Sequence, residues 1–478
     1  MNFKMIGSVL GIVGFTTSCA FGPDYKRPET RMPANFSSTE TAAEKINIKW
    51  WQQFGDPTLE QLIKTALEHN LDLEVALARV DEARARLGIA KSEFFPTLDL
   101  RGLAGTEKIS ETGPTLLIPD TDSDTDFFSL GVVLSYEIDF WGKIRRSNEA
   151  ARAQLLREDF NRSNVQLTLI SQVVSAYFAL RSLDLQHNIA KNTVESRKGS
   201  YDLINKRFKG GVGNELNARQ AEAEMHSAQT SVSKLEDQVS KAESFLSVLI
   251  GRDPRAIIES PIARGLRLDE IASPPTLPTL LPSSLLERRP DIAAAEQNLI
   301  SANAYIGAAK AYYFPTISLT GGFGFESSDL KNLFKGESQV YSYGAGISMP
   351  IFNGGRTGYM VEAATARQKA ALAQYRQAIQ NAFMEVRNSL KTYKSYGDVV
   401  DSQKLQVTAV ERNLYLANLR YKNGQSPYLE VLDAERQLFD VQLDLVRSQQ
   451  SRLVAVVDLY KALGGGWERP QENSTKKN

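Results

Sequence analysis

The side chains best suited to chemistry in this 478-residue sequence are three histidines (His69, His187 and His226), one cysteine (Cys19) and a short charged face near the C-terminus. The histidines fall in separate helical patterns without the spacing of a metal site. No phosphate-binding loop or Gly-x-Ser-x-Gly elbow occurs. No enzyme activity, cofactor or metal is therefore expected. The charged face is Leu429, Asp433 and Arg436, whose spacings of four and three put them on one side of a helix. The sequence is otherwise repeated, and the matching positions of the first copy hold Leu216, Gln220 and Ala223, so these charges occur once. As a plain solvated pair they are worth at most ~0.5 kcal/mol. Any larger role depends on the elements that position them.

Cys19 has a different chemistry. Met1 to Ser18 carries Lys4, an apolar stretch from about Met5 to Phe15 and the small residues Thr16, Thr17 and Ser18, which is the layout of a secretory signal. A cysteine at the cleavage point reads as a bacterial lipoprotein signal, with Cys19 lipidated and becoming the mature N-terminus; the alternative is an ordinary signal followed by a coincidental cysteine. With one cysteine, no internal disulfide can form. Residues 1–18 are thus the signal peptide and 19–56 a lipid-anchored, proline-rich arm containing Trp50-Trp51. The arm is expected to lie along the body and to end at Asp56-Pro57, an N-cap and first-turn proline.

The body is a tandem repeat. AKSEFFPTLDLRGLAG (90–105) returns as AKAYYFPTISLTGGFG (309–324), each with a Phe-Pro pair at the same place. RFKGGVGNELNARQAE (207–222) returns as RYKNGQSPYLEVLDAE (420–435). The second pair of stretches is spaced slightly more closely than the first, so the second copy has lost a few residues in between, and these belong to a loop. In each copy a helical pattern reaches a proline corner that it cannot cross. The first runs from Leu59 to Phe95 with a break near Asn70, the second from about Leu285 to Phe314 with Pro290 at a helix start. Beyond two strands, Ile144 to Phe208 and Thr357 to Tyr421 contain no proline. Each would form a helix on the order of 95 Å long at ~1.5 Å per residue. Each then turns at a glycine-bearing tip and returns as Glu215 to Ile250 or Tyr428 to Leu463. Heptad-like apolar positions predict coiled-coil packing; without strands, two-helix arms would suffice.

Four segments alternate apolar and polar residues: Leu98 to Ala104, Leu130 to Asp139, Ile317 to Phe325 and Tyr341 to Met349. Each is about the length of a tilted bilayer-crossing strand. Phe95, Trp141, Phe314 and Phe352 stand at the strand ends nearest the long helices, as an interfacial aromatic girdle would. The opposite connections, Thr106 to Asp126 and Glu326 to Gln339, are long and polar. A soluble sheet packed on helices is the alternative, but four strands leave two edges, and an open edge is prohibitive in lipid. A membrane-embedded chain must therefore oligomerise, and three copies would close twelve strands.

Composition excludes other classes. Lysine plus arginine equals aspartate plus glutamate at 56 each, so no net field favours nucleic acid. Mean hydropathy is −0.30, and after residue 20 no apolar run could span a bilayer as a helix. A β-barrel would leave such numbers unchanged.

Cys19, the following GPDYKRP (22–28), WWQQFGDPTLEQLI (50–63), the two FPT corners and the two glycine-tipped hairpins together resemble the TolC-type outer membrane efflux factors, in their lipoprotein branch. The resemblance covers nearly the whole mature chain. It implies a mixed α and β membrane protein: a homotrimer with a twelve-stranded transmembrane β-barrel continuous with a long periplasmic α-helical barrel. The expected segments are repeat 1 (57–250), an inter-repeat equatorial segment (251–282), repeat 2 (283–463) and a C-terminal tail (464–478). It further implies a passive exit duct for small toxic compounds in the bacterial outer membrane. A periplasmic adaptor of the membrane fusion type would dock at the tips (Gly211, Val212, Gly424, Ser426), and an inner-membrane pump, commonly of the proton-driven RND type, would supply the energy. Leu429, Asp433 and Arg436 match the family's periplasmic constriction. Ala20 after the cysteine implies no retention at the inner membrane. An exit duct for type I protein secretion and a structural coiled-coil envelope lipoprotein remain as alternatives, and the exported substrate is open.

Overall fold

The computed structural model describes residues 21–29, 48–108, 110, 124–271 and 285–467. The signal peptide, Cys19 and the tail beyond residue 467 lie outside the described residues. The chain divides into two units: Met1–Glu29, Val80–Glu158 and Ala295–Tyr375 in the first, and Thr30–Arg79, Asp159–Ala294 and Arg376–Asn478 in the second.

The repeat is visible as two matching series. The first is α1 (Pro57–His69), α2 (Leu71–Ser92), β1 (Thr97–Lys108), β2 (Asp124–Ile138), α3 (Lys143–Lys209) and α4 (Glu215–Leu249). After the short α5 (Pro254–Glu259) comes α6 (Leu285–Arg288), then α7 (Pro290–Ala311), β3 (Thr316–Ser327), β4 (Gln339–Ser348), α8 (Arg356–Lys422) and α9 (Tyr428–Ala462). Helices α3 and α8 are both 67 residues long and α4 and α9 both 35.

Local signals set most boundaries. The Asp56 carboxylate accepts from the Thr58 amide at 2.9 Å, and Pro57 occupies the first turn, so α1 starts as expected. Asn70 ends α1, and its side chain donates to the Leu249 carbonyl at 2.9 Å, which explains the break. The corner helices end at Ser92 and Ala311, short of the expected Phe95 and Phe314. The residue before a proline is barred from the helical region. The last turns instead tighten into three-residue hydrogen bonds, Phe95 to Ser92 and Phe314 to Ala311. The first two strands run further into their connection than expected, to Lys108 and from Asp124, held by Thr106 Oγ1 donating to Asp126 at 2.6 Å.

In the first unit the strands form one antiparallel sheet in the order β1-β2-β3-β4, so β2 and β3 join the two copies. The register brings like residues to one face. Leu98 pairs with Leu134, Leu100 with Val132, Val132 with Phe323, Ile317 with Ile347 and Phe323 with Tyr341. The other face takes Asp99, Arg101, Ser135, Glu137, Ser318, Thr320, Gly344 and Gly346. Among the described residues nothing covers the apolar face: Tyr343 and Ile347 are 86 and 74 % exposed.

The first unit also holds residues 21–29 as an extended strap. Arg27 donates from Nε and Nη2 to the two Glu296 oxygens at 2.6 and 2.7 Å, and Tyr25 donates to Glu296 at 3.0 Å. Asn303 donates to the Pro23 carbonyl at 2.7 Å, and Arg146 to Asp24 at 2.7 Å. Gly22 meets Gly307 so closely that a Cβ on Gly22 would lie 2.5 Å from the Gly307 Cα.

In the second unit the core is Trp50, Phe54, Tyr177, Phe178, Leu246, Val456 and Tyr460 with their neighbours, and the Trp50 and Tyr460 rings are stacked at 5.1 Å. Asp56 does more than cap: its Oδ2 accepts from the Tyr177 hydroxyl at 2.5 Å and from the Leu266 amide at 3.0 Å. This ties the inter-repeat segment to α3.

Candidate gate at the hairpin ends

Each long helix stops at the same kind of cap. Gly211 and Gly424, at matching positions of the two copies, take φ of 75° and 69°, a conformation that costs glycine little. The next amides, Val212 and Gln425, reach back to the Arg207 and Arg420 carbonyls at 3.0 and 2.9 Å, which closes the turn on the helix end. Of the four expected tip residues, Gly211, Val212 and Gly424 are exposed. Ser426 is half-buried, and its hydroxyl is enclosed without a partner.

Behind the tips the two hairpins pack together in the second unit. Ile204 of α3, Ala218 and Ala221 of α4, Ala417 of α8 and Tyr428, Val431 and Leu432 of α9 form one buried cluster. Small residues on α4 let α9 approach. Leu429, Asp433 and Arg436 lie on the opposite, exposed side of α9, as their spacing requires.

The charge pairing is broader than the sequence predicts. Asp433 and Arg436 stand 3.7 Å apart, an ion pair without a hydrogen bond. Arg436 Nε instead donates to Glu224 Oε1 of α4 at 2.7 Å, and its Nη2 also meets that oxygen. Glu224 is buried, and its Oε2 lies 3.0 Å from Nη1 of the buried Arg197 on α3. Glu435, next to Arg436, faces Arg197 and accepts from Ser200 at 3.3 Å. Burial pushes the Glu435 carboxyl above its usual range, opposed by Arg197 and Ser200. The result is a four-charge lock: minus then plus on α9 against plus and minus on α3 and α4. Arg197 and Glu224 escape a motif search, but the repeat itself marks them, since the matching positions of the second copy are the uncharged Val410 and Gln437.

The four aromatic residues expected as a girdle separate into two pairs. Phe95 and Phe352 are exposed, at 69 and 91 %. Trp141 and Phe314 are half-buried and stacked at 4.7 Å, with Phe21 on Phe314 at 4.2 Å and the Trp141 indole donating to the Pro315 carbonyl at 2.7 Å. Within the chain this pair therefore seals the corner, because its indole N–H is satisfied internally.

The histidines share no site: His187 lies 3.2 Å from Glu236, and His226 is 3.3 Å from Gln229. Among the described residues no group of three His, Cys, Asp or Glu side chains could hold a metal, and no helix is long and apolar enough to cross a membrane.

A repeated helix–strand–strand–hairpin unit, with a bilayer-length amphipathic sheet at one place and a charged hairpin lock at another, defines a TolC-like channel. The chain belongs to the outer membrane efflux protein family, whose profile matches residues 62–252 and 281–465. It is thus an efflux channel of the outer membrane. It is 34 % identical to the cation efflux system protein CusC of Escherichia coli O6:H1 over 95 % of this chain and 97 % of that one. It is 33 % identical to the toluene efflux pump outer membrane protein TtgC of Pseudomonas putida, over 94 % of this chain and 93 % of that one. Among solved structures, the CmeC outer membrane channel of Campylobacter jejuni superposes with a TM-score of 0.89 at 27 % identity, covering 94 % of this chain and 96 % of that chain.

Proposed function

We propose that three copies of this chain join their sheets into one twelve-stranded barrel and their hairpins into a helical tube, forming the passive exit duct of a tripartite efflux system. The observation that carries this reading is the sheet. Among the described residues its outer strands β1 and β4 each have a partner on one side only, and its apolar face is bare. Each unpaired backbone group in hydrocarbon costs several kcal/mol, so the edges must close on other copies; eight strands from two copies would leave no lumen.

Acyl chains on Cys19 anchor the arm in the same membrane. A periplasmic adaptor docks at Gly211, Val212, Gly424 and Ser426, and an inner-membrane pump of RND type drives transport. Leu429 forms one ring and Asp433 with Arg436 another at the closed periplasmic end, and docking opens them by drawing α9 from α3 and α4, which breaks Arg436–Glu224. The related proteins are named for cargoes as different as cations and toluene, as expected of a duct whose pump selects the cargo.

The test is the mass of the detergent-extracted mature protein by light scattering, corrected for bound detergent. A trimer is expected. A stable monomer would overturn the duct in favour of a coiled-coil envelope tether.

A further inference from the structure

In the first unit α3, α7 and α8 leave a cleft of about 390 Å³. On α7 its lining runs from Asn298 through Ser301 and Ala302 to Tyr305, and on α8 from Arg367 through Ala370 and Ala371 to Gln374, the spacing of one helix face in each case. Small residues in the middle of each row leave the room. Asn298 Nδ2 donates to Gln374 Oε1 at 3.4 Å at one end, where Asn298 also accepts from Arg157 Nη1 of α3 at 3.2 Å. Helix α7 leads into the sheet and α8 leaves it, so the two run antiparallel. Seven residues from that bond toward the sheet, Tyr305 and Arg367 therefore stand level at the other end, where Gln154 of α3 donates to the Tyr305 oxygen at 3.2 Å. The groups left over are donors. Tyr305 accepts from Gln154, so its own O–H is left for a guest. Ser301 is 3 % exposed and has no side-chain hydrogen bond among the described residues, whereas Ser163, Ser171 and Ser389 bond the carbonyl four residues back. Arg367 is exposed and also without a polar partner among the described residues; the positions three and four away along α8 are all alanine. No carboxylate is among the residues lining the cleft, and Glu158, beside it in sequence, pairs with Arg157 at 2.6 Å. A walled cleft with surplus donors and an unmatched guanidinium fits an anion.

The strap shows which way the cleft faces. Its contacts on α7 are Glu296, Asn303 and Gly307, whereas the cleft takes Asn298, Ser301, Ala302 and Tyr305. At ~3.6 residues per turn the two sets lie on opposite sides of the helix. The strap leads back to the lipid anchor at Cys19 and so runs outside the duct, which turns the cleft to the inner wall. We propose that this cleft binds a small organic carboxylate, its oxygens taken by the Arg367 guanidinium and the Tyr305 hydroxyl and its body lying over Ser301, Ala302 and Ala371. A trimer would carry three such sites on the path of the cargo. The inner-wall placement rests on the duct reading; the binding does not.

The test compares benzoate with benzamide, alike in shape and different in charge, on the full mature protein in non-ionic detergent at fixed ionic strength. Binding is read as nuclear magnetic saturation transferred from protein to ligand. Benzoate should bind saturably, and benzamide about tenfold more weakly, the worth of a charge-assisted hydrogen bond. Arg367→Gln should weaken benzoate by about the same factor and erase its advantage over benzamide, while Arg367→Lys should keep part of it. Arg84→Gln, at an exposed arginine of α2, should change nothing. Equal binding of the two compounds, an advantage that survives Arg367→Gln, an equal loss in Arg84→Gln, or no saturable binding of benzoate would each overturn the site. The two-compound comparison needs no variant to fold. A monomer by light scattering would remove the inner-wall placement while leaving the binding result intact.

Discussion

Arg436 on α9 donates from Nε to Glu224 Oε1 on α4 at 2.7 Å, whereas its neighbour Asp433 lies 3.7 Å away. The residue shared by the proposed ring and the proposed lock therefore spends its directional bond within the chain. Glu224 is buried with Arg197 behind it, and Asp433 is 64 % exposed, so the former contact is the stronger one.

Glu224→Ala should therefore loosen the closed end more than Asp433→Ala does. Removing the Glu224 carboxylate breaks the buried ion pair with Arg197, a loss of about 3 kcal/mol, while an exposed partner contributes at most ~1 kcal/mol. Single-channel recording in planar bilayers should give passive conductance rising in the order unaltered protein, Asp433→Ala, Glu224→Ala. The pair Asp433→Ala with Arg436→Ala should exceed Asp433→Ala alone. Unchanged conductance throughout would remove the gate assignment and leave the channel intact.

Acid should favour the packed lower end. The Glu435 carboxyl is raised by burial, so the folded state holds its proton to higher pH than the unfolded state does. Stability is then lost as pH rises through the window that opens at the ordinary carboxylate value near 4.5. The groups facing it are Arg197, Glu224 and Ser200. Glu435→Gln should match the unaltered protein in thermal midpoint near pH 4 and exceed it at pH 7. An unaltered protein that gains on its variant as pH rises would reverse the assignment.

The strap should depend on Glu296. Replacing it with glutamine removes the charge that both Arg27 nitrogens and Tyr25 address, a cost of about 1.5–3 kcal/mol. Trypsin should then cut after Lys26 faster in Glu296→Gln than in the unaltered protein, with lipid attachment at Cys19, followed by palmitate labelling, unchanged. Equal cleavage rates would mean that the fork does not hold the strap.

Gly307→Ala should destabilise even though alanine is the better helix former by about 0.8–1 kcal/mol. Its Cβ would lie 2.6 Å from the Phe21 carbonyl oxygen and 2.9 Å from Arg146 Cγ. Overpacking of this kind costs about 1–3 kcal/mol. Gly199→Ala, on a helix with open space around it, should do the reverse. Thermal midpoints decide, and a raised midpoint in Gly307→Ala would show that the strap yields.

Sequence alone determined the elements and their order. Proline at 96, 290 and 315, glycine at 211 and 424 and Asp56-Pro57 act through the backbone within a few residues, so they place helix ends wherever they occur. Alternation in four segments set which strand residues share a face, because a strand's period is two. The repeat made each copy a check on the other, and α3 and α8 duly have equal length. Tertiary structure decided the partners. Arg436 and Glu224 are 212 residues apart, Arg27 and Glu296 269 apart; no local rule pairs residues at such distances. Trp141 and Phe314 read as part of an interfacial girdle because aromatic type alone does not say what a ring packs on, and only the folded chain shows the Trp141 indole on the Pro315 carbonyl and Phe314 on Phe21. A side chain's conformation follows from its neighbours in the chain, whereas its partner is chosen by packing among elements distant in sequence.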